Sequence, residues 1–324
     1  MNGQLQIDAA ALQERDRFTG AGWLKVIAPA KVNLRLAIGA RRDDGYHDAV
    51  SIMHALALHD TVFLRIAPSD SDNEKDVSIM MVGCGDVEAP EVAPEKNIAV
   101  RAAHALREAL GDRVPAGAQR SVQIRIEKNI PAQAGLGGGS TDAAAVLAGL
   151  ARLWNIDPDD DDVVHVARSL GADVAFFLKG GCAYLDGVGD RFDHALKPRR
   201  NSVVLVKPEG GVSTAAAYTT FDNDPIPIDA KAAACARDAR DAAEIELFNN
   251  LAPAAEALMP ELAQIRTWLA EQPGVFGALL CGSGSTTFAI CDSFDAACRI
   301  ATAARTQGLW ARTTAFSPIG AAIC

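Results

Sequence analysis

A dense run of glycines most constrains what this chain can fold into. Residues 135–139 hold four glycines in five positions, directly after the alternating apolar pattern of 122–126 and directly before an Ala- and Leu-rich segment at 140–154. The alternation predicts a half-buried strand, and the second segment predicts a helix. Glycines leave backbone N–H groups open to an anion, and a helix N-terminus favours phosphate. The run therefore predicts either a phosphate-binding loop or a flexible turn before a capped helix.

The common phosphate loops do not match this run. A Walker A loop ends in Gly-Lys-Ser/Thr, whereas Gly139 is followed by Ser140. The dinucleotide-binding fingerprint requires a glycine where Ser140 stands. We therefore expect a third kind of phosphate loop at 135–141, in which the hydroxyls of Ser140 and Thr141 cap the helix or bind a magnesium ion.

A second glycine cluster, Gly-Ser-Gly-Ser at 282–285, lies between two predicted strands at 276–281 and 286–290. By itself this cluster is typical of a hairpin turn. The presence of two glycine-rich loops in one chain makes an anion-binding role harder to dismiss than a single loop would.

Four polar side chains are candidates for chemistry. Lys31 and Asn33 lie two apart in a predicted strand and share a face, where the lysine either orients an anion or faces water at a sheet edge. Asp173 lies beside a glycine turn and before two phenylalanines, so it is either a carboxylate that accepts a hydroxyl proton or a turn cap. Asp142 is a competing base, although its place in the first helical turn also suits a helix-end carboxylate.

A turn at 41–47 supplies a candidate recognition element. Asp-Gly between apolar runs predicts a tight turn. Tyr46 could then stack on a polar ring that His47 contacts, or both could belong to an ordinary surface turn. Neither the six histidines nor the acidic run at 159–162 has the spacing of a metal site. The seven cysteines predict reduced core thiols.

Length and charge narrow the class of protein. The 324 residues suggest about two domains, and strands mixed with helices without strict βαβ alternation predict an α+β fold in two lobes. A net charge of −10 argues against a general binder of nucleic acids or anionic membranes. No apolar run reaches the length of a membrane span. Residues 1–21 lack the apolar core of a signal peptide and predict a mobile extension, so we expect a cytoplasmic protein.

Three of these motifs together resemble the signature of the GHMP small-molecule kinases. In chain order they are the segment 29–34 with Lys31 and Asn33, the glycine loop with Ser140 and Thr141, and the cluster 282–285. The resemblance extends over about residues 23–320. It implies a two-lobed α+β fold with the active site in the cleft between the lobes. The expected lobes are 22–190, which carries the glycine-rich ATP loop, and 191–324.

Three further segments resemble one branch of that superfamily. They are 41–47 with Asp-Gly-Tyr-His, 170–174 with Leu-Gly-Ala-Asp-Val, and 187–189 with Gly-Val-Gly. The resemblance implies ATP-dependent phosphorylation of the 2-hydroxyl of a cytidyl diphosphate of methylerythritol, in the non-mevalonate route to isoprenoid precursors. The alternatives are another GHMP kinase (for homoserine, mevalonate or a sugar), a non-catalytic ligand-binding relative, or a nucleic-acid module on a similar fold. We expect ATP and Mg²⁺ as cofactors, a small-molecule substrate, no nucleic-acid or membrane partner, and a monomer or weak homodimer.

The same motifs imply residue roles. Asp173 would be the catalytic base and Lys31 its partner, and both would contact the substrate. The other expected substrate contacts are Asn33, Tyr46, His47, Val188, Gly189 and Tyr218. The expected ATP contacts are Asn97, Lys128, Pro131, Ala132, Gln133, Ala134, Gly135, Leu136, Gly137, Gly138, Gly139, Ser140 and Thr141. The third motif comprises Gly282, Ser283 and Gly284.

Overall fold

The computed structural model describes residues 22–67, 77–116 and 121–324. The predicted extension at 1–21 lies outside them. The strands are β1 (Leu24–Arg41), β2 (His47–Ile66), β3 (Val77–Gly83), β4 (Val122–Lys128), β5 (Cys182–Asp186), β6 (Arg191–Leu196), β7 (Ser202–Lys207), β8 (Phe248–Asn249), β9 (Val275–Leu280), β10 (Thr287–Cys291), β11 (Trp310–Ala315) and β12 (Ala322–Ile323). The α-helices are α1 (Ile98–Leu110), α2 (Gly138–Leu153), α3 (Asp161–Leu170), α4 (Ala172–Lys179), α5 (Thr214–Asn223), α6 (Ala230–Asp238), α7 (Ala252–Leu258), α8 (Glu261–Ala270) and α9 (Phe294–Thr306). Within the described ranges, none of these helices has the length and apolar character that a membrane crossing requires.

Two long antiparallel strands form the centre of the larger sheet. The apolar pattern predicts separate strands at 23–28 and 32–38, whereas β1 is one strand of 18 residues that stays paired with β2 through three register shifts. The larger sheet has eight strands, with the main order β12-β1-β2-β4-β3 and with β5, β6 and β8 on branches. The expected lobe boundary at 190/191 falls between β5 and β6, which pair with each other in this sheet.

Helices α1 to α4 pack together on one face of the larger sheet. Every residue of α2 from Thr141 to Ala151 is buried, and its many alanines allow the helix to lie close to the sheet. The closest approach is at Gly149, where a Cβ would lie only 2.2 Å from Leu64 Cδ1. This packing fixes the position of the α2 N-terminus, and with it the glycine loop that precedes the helix.

The smaller sheet is antiparallel, in the order β11-β7-β10-β9. One of its faces packs against α8 and α9. The other face packs against the larger sheet in a second core, where Val32 and Ile52 belong to the same cluster as Leu205 and Phe288. Two sheets in contact, with helices on their outer faces, confirm the predicted α+β class.

In the C-terminal part of the chain, two helices are shorter than the sequence patterns predict. The periodicity predicts helices over 229–243 and 247–259, but α6 covers only Ala230–Asp238 and α7 only Ala252–Leu258. The second helix is shortened because Phe248 and Asn249 pair with β1 as β8. Helices α4 and α5 are not predicted as helices by the patterns, and both border the site described next.

Candidate active site

The glycine loop connects β4 to α2 and makes contacts that leave no room for side chains. Helix α2 begins at Gly138, two residues before its predicted start, and Gly137 precedes it with a left-handed backbone (φ 77°). A Cβ at Gly137 would lie 2.7 Å from a phenylalanine ring of α4. A Cβ at Gly135 (φ 74°) would lie 2.3 Å from the carbonyl oxygen of Cys281. Both positions therefore require glycine.

Backbone hydrogen bonds hold this loop between the two sheets. The N–H of Lys31 donates to the carbonyl of Leu136 at 3.0 Å, and the N–H of Thr286 donates to the carbonyl of Ala134 at 3.2 Å. Leu136 and Ala134 are also buried in the core between the sheets. The loop is thus anchored at Ala134 and Leu136, on both sides of Gly135.

A cavity of about 410 Å³, here called the glycine-loop cavity, lies over the loop and the N-terminus of α2. Its wall contains every predicted ATP contact except Thr141, which is fully buried. Asn97 lies in the wall and caps α1, because its Oδ1 accepts the N–H of Ala99 at 2.9 Å. The remaining lining residues are Met81, Pro90, Val92, Lys96, Ile98, Ile130 and Asp142.

Lys128, in the wall of this cavity, is buried between two carboxylates. Its Nζ lies 2.6 Å from Asp142 Oδ2 and also contacts Asp60 Oδ2. Although burial disfavours the charged form, the two carboxylates together raise the pKa of Lys128. Asp60 Oδ1 additionally accepts the backbone N–H groups of Asn129 and Ile130, at 2.5 and 2.9 Å. Asp60 is therefore the more fully hydrogen-bonded of the two carboxylates.

Asp142 has fewer partners than Asp60. Its Oδ1 is buried and has no hydrogen-bond partner among the described residues. Burial, with a further contribution from the charge of Asp60, outweighs Lys128 and raises the pKa of Asp142 to about 8. The raised pKa favours the protonated form of Asp142, which brings the cluster of Lys128, Asp60 and Asp142 closer to electrical neutrality. Because Asp142 bonds to Lys128, the structure gives no support to its interpretation as a competing base.

A second cavity, of about 270 Å³, contains the predicted catalytic pair and is here called the Lys31 cavity. Lys31 Nζ donates to Asn33 Oδ1 at 2.8 Å, and Asn33 Nδ2 donates to Ser51 Oγ at 2.8 Å. Lys31 Nζ also lies 3.5 Å from Asp173 Oδ2. The Lys31 side chain is only 6% exposed, whereas that of Asp173 is 28% exposed. Asp173 lies in the first turn of α4, two residues after Gly171, so its carboxylate is held by the helix but is open to the cavity.

The glycine loop is the common wall of these two cavities, since Gly135 and Gly137 line both of them. The side chain of Lys31 approaches this wall, with its Cγ 3.2 Å from a Cβ placed on Gly137. The N-terminus of α2 lies on one side of the wall and the Lys31–Asp173 pair on the other. A phosphate held by the loop and a hydroxyl held beside Asp173 would therefore be neighbours.

The loop at 282–285 closes the Lys31 cavity from the smaller sheet. Gly282 and Ser283 line the cavity, whereas Gly284 packs against leucine side chains outside it. Ser283 Oγ lies 2.9 Å from Thr214 Oγ1 of α5. Asn249 Nδ2 donates to the carbonyl of Gly282 at 2.7 Å. The third motif therefore shapes the Lys31 cavity and joins it to α5.

A third cavity, of about 480 Å³, is lined by Tyr46, His47 and Tyr218 and is here called the aromatic cavity. Val188 and Tyr218 line both this cavity and the Lys31 cavity, so the two are adjacent. Tyr46 is 66% exposed, which leaves its ring free for a ligand. Burial, with a contribution from the charge of Asp173, raises the pKa of the Tyr218 hydroxyl.

His47 is fixed through both of its ring nitrogens. Nδ1 lies 3.1 Å from the carbonyl oxygen of Gly39, and Nε2 lies 3.0 Å from Asp222 Oδ1. These two contacts fix the orientation of the imidazole ring. The His47 ring also lies near Tyr218, with the ring centroids 5.5 Å apart.

Sequence reasoning missed three residues that hold the predicted ones in place: Asp60, Ser51 and Asp222. Asp222 lies one helical turn after Tyr218, so a correct prediction of α5 would have placed the two on one face. Asp60 lies inside the long strand β2, 68 residues before its partner Lys128, and Ser51 lies in the same strand, 18 residues after its partner Asn33. No local pattern could have identified them.

Comparison with known proteins connects this geometry to a family. The model of the GHMP kinases N terminal domain matches residues 97–181, and that of the GHMP kinases C terminal matches residues 230–308. A 4-diphosphocytidyl-2-C-methyl-D-erythritol kinase from Desulfitobacterium hafniense (strain Y51) is 37% identical over 282 residues, which cover 86% of this chain and 90% of that protein.

Solved structures agree with these matches. A crystal structure of 4-(cytidine 5'-diphospho)-2C-methyl-D-erythritol kinase aligns with a TM-score of 0.71 and 33% identity, over 90% of this chain and 99% of that one. A homoserine kinase from Cytophaga hutchinsonii ATCC 33406 aligns with a TM-score of 0.67 over 94% of this chain and 98% of that one, and its 20% identity shows a common fold alone. The predicted GHMP kinase fold is confirmed, and the chain belongs to the 4-diphosphocytidyl-2-C-methyl-D-erythritol kinase family of the GHMP kinases.

Proposed function

We propose that this chain transfers the γ-phosphoryl group of ATP to the 2-hydroxyl of 4-diphosphocytidyl-2-C-methyl-D-erythritol. The observation that carries the proposal is the shared wall of the two cavities. Gly135 and Gly137 separate the α2 N-terminus from the Lys31–Asp173 pair, so donor and acceptor can meet without leaving their cavities. Direct in-line transfer needs little more than such positioning and charge stabilisation.

On the donor side, backbone groups rather than side chains would hold the phosphates. The first N–H groups of α2 have no partner within the helix and face the glycine-loop cavity, where Gly138, Gly139 and Ser140 form the wall. These groups and the helix dipole favour an anion. They also stabilise the charge that develops on the phosphates during transfer.

On the acceptor side, Asp173 would orient the substrate hydroxyl and take its proton. The carboxylate is partly open to the Lys31 cavity and lies 3.5 Å from the ammonium of Lys31, which helps to hold it in position. Asn33 holds Lys31 from the other side. Val188 and Gly189 line the same cavity and would lie along the substrate.

Magnesium fits this site as an ion that arrives with the nucleotide. Among the residues that the structure describes, no group of three or more His, Cys, Asp or Glu side chains could hold a metal ion. Mg²⁺ usually binds substrate phosphates and keeps several waters. When bound, it would supply positive charge to the phosphates. Of the two hydroxyls expected to bind it, that of Ser140 belongs to the cavity wall, whereas Thr141 is fully buried.

The aromatic cavity favours a cytidyl substrate over the other acceptors of the superfamily. Tyr46, His47 and Tyr218 line one cavity, so a pyrimidine bound there would have aromatic rings to stack on. Homoserine, mevalonate and simple sugars have no base to fill this cavity. The Lys31–Asp173 pair argues against a non-catalytic relative, because a binding protein does not need a base beside the acceptor.

The proposal also covers the location, oligomeric state, lobes and partners of the enzyme. We infer a cytoplasmic enzyme that acts as a monomer or weak homodimer, in two lobes divided near 190/191, with a small molecule and no nucleic acid or membrane as partner. The net charge of −10 supports the last point. Anionic ligands can still bind, because the backbone amides of the glycine loop and the N-terminus of α2 provide positive potential locally.

A coupled assay of ADP release tests the function. The purified chain is given ATP, Mg²⁺ and, in separate reactions, 4-diphosphocytidyl-2-C-methyl-D-erythritol, homoserine, mevalonate and a sugar. We expect turnover with the cytidyl substrate and at most trace release with the others. Phosphorylation of mevalonate but not of the cytidyl compound would overturn the proposal.

A further inference from the structure

A fourth cavity, of about 440 Å³, adjoins the substrate cavities and is not accounted for by the roles assigned above. It is here called the arginine cavity, because Arg42, Arg168 and Arg191 all line it. Tyr46 and Val188 also line it. Val188 is thus a wall residue of the Lys31, aromatic and arginine cavities together.

Two of the three arginines are already neutralised. Arg42 lies 2.8 Å from Asp44 and 3.5 Å from Asp48. Arg191 donates from Nε and from a terminal nitrogen to the two oxygens of Asp186, at 2.6 and 2.9 Å. These bidentate and clustered contacts leave neither guanidinium free for a new anion.

The carboxylates in the wall are engaged as well. Asp44 pairs with Arg42 and accepts the backbone N–H of Tyr46 at 3.1 Å. Asp190 accepts the backbone N–H of Val188 at 3.2 Å. Asp44 and Asp190 therefore hold Arg42 and the nearby backbone in place, and neither of them pairs with the third arginine.

Arg168 is that third arginine. It lies in the last turn of α3 and is exposed to solvent. Within the described residues its guanidinium has neither an ion pair nor a side-chain hydrogen bond. The other cations near Val188 are committed elsewhere, since Lys31 pairs with Asp173 and Arg41 lies 3.6 Å from Asp222.

We propose that Arg168 binds the diphosphate of the cytidyl substrate; this inference rests on the proposed function. An alcohol beside Asp173 and a base in the aromatic cavity must be connected past Val188, since this residue borders both cavities. The connecting diphosphate carries a negative charge on each phosphate. The arginine cavity opens at that point, and Arg168 is the guanidinium there that lacks a partner.

Calorimetric titration of cytidine and of cytidine diphosphate tests the assignment. A non-hydrolysable ATP analogue saturates the glycine-loop cavity, so that the second nucleotide can enter only the substrate cavities. For Arg168→Ala we expect binding of cytidine diphosphate to weaken about 5- to 20-fold, with cytidine binding unchanged. This range lies between the losses typical of exposed and of buried charged pairs. Arg168→Lys should recover part of the loss. Arg152→Ala, an exposed arginine at the end of α2 that lines none of these cavities, is the matched control.

Kinetics separate this inference from the proposed function. If the wild type phosphorylates the cytidyl substrate, Arg168→Ala should raise its KM about 5- to 20-fold with kcat within about twofold. If the wild type shows no turnover but Arg168→Ala still weakens cytidine diphosphate selectively, the function fails and the anion site stands. Equal effects on cytidine and cytidine diphosphate, or no effect on either, would overturn the role of Arg168.

Discussion

The glycine-loop cavity and the Lys31 cavity share a wall but are built in different ways. In the first, the charged groups neutralise one another within the protein, since Lys128 lies between Asp60 and Asp142, and the glycine loop contributes backbone groups to the wall. In the second, Lys31 and the half-open carboxylate of Asp173 face the space where a ligand would lie. The difference suggests that one side recognises its ligand by backbone shape and the other acts on it with side chains.

The largest effect should follow from Asp173→Asn. The amide keeps the size of the side chain but cannot take a proton, so kcat should fall about 10²- to 10⁴-fold. Binding of the cytidyl substrate should survive, because the rest of the Lys31 cavity is unchanged. Rapid-quench or coupled assays measure the first quantity and calorimetry the second. A kcat within tenfold of the wild type would remove Asp173 from the chemistry and with it the contrast between the cavities.

The two lysines offer the next test, because the same substitution should affect different quantities. Lys128→Met leaves Asp60 and Asp142 buried without their cation, and breaking such a network costs about 3–5 kcal/mol of unfolding free energy. Lys31→Met leaves Asp173 in contact with solvent, so the folding cost should be smaller while turnover falls sharply. Denaturant unfolding and kcat, measured on both variants, decide between these outcomes. If Lys31→Met proves the less stable of the two, the division of roles is wrong.

The two cavities also show how much of the site can be predicted from local sequence patterns. The glycine loop, Lys31, Asn33 and Asp173 each occur in a short pattern whose chemistry depends on neighbours in sequence, and the structure brings all four together. The fold class could likewise be predicted, because strand and helix periodicities are local. The resemblance to the GHMP kinases supplied the roles expected for these residues and the expected order of their motifs.

What could not be predicted depends on contacts between distant segments. Asp60 gains its role only because β2 and β4 pair, which sets its carboxylate beside Lys128 and the N–H groups that follow β4. For Asp142 the sequence leaves two interpretations open, a base and a helix-end carboxylate. Its bond to Lys128 cannot be predicted from the sequence of α2. The start of α2 at Gly138 could not be predicted for a similar reason, since the tertiary contacts of Gly137 fix it.

Two glycines of the loop provide a matched pair for the backbone argument. At Gly135 the left-handed backbone alone costs a side chain about 1–3 kcal/mol, and the carbonyl of Cys281 lies 2.3 Å from the new Cβ. At Gly139 the nearest atom to a new Cβ is Ile98 Cγ2 at 3.5 Å, an ordinary contact, and the residue is helical. We therefore expect Gly135→Ala to lower the unfolding free energy and the affinity for ATP. Gly139→Ala should leave stability unchanged or slightly higher.

Thermal and denaturant unfolding measure this pair directly, and titration with a non-hydrolysable ATP analogue measures the affinity. Equal stability of the two variants would mean that the loop tolerates a side chain at Gly135. Backbone shape would then not be what defines the glycine-loop cavity.

The smallest effect should come from Asp142→Asn, the counterpart of the substitution at Asp173. Burial raises the pKa of Asp142 to about 8, so at neutral pH an amide replaces a carboxyl that already holds its proton. The unfolded chain releases this proton above its ordinary pKa near 4. Between about pH 4 and 8 the folded state thus binds more protons than the unfolded state, and this contribution to wild-type stability falls as the pH rises. The amide of the variant has no proton to release.

Asp142→Asn should therefore be as stable as the wild type or more stable at pH 7, and its advantage should grow with pH up to about 8 and then level off. Unfolding free energies of both proteins at several pH values between 5 and 9 measure the difference, in which titrating groups outside the cluster of Lys128, Asp60 and Asp142 cancel. A loss of stability at pH 7, or a difference that does not vary with pH, would show that Asp142 is ionised and that the cluster around Lys128 carries net negative charge. Replacing a carboxyl by an amide would then be costly both at Asp142 and at Asp173. The two cavities would differ only in whether the carboxylate charge supports stability or turnover.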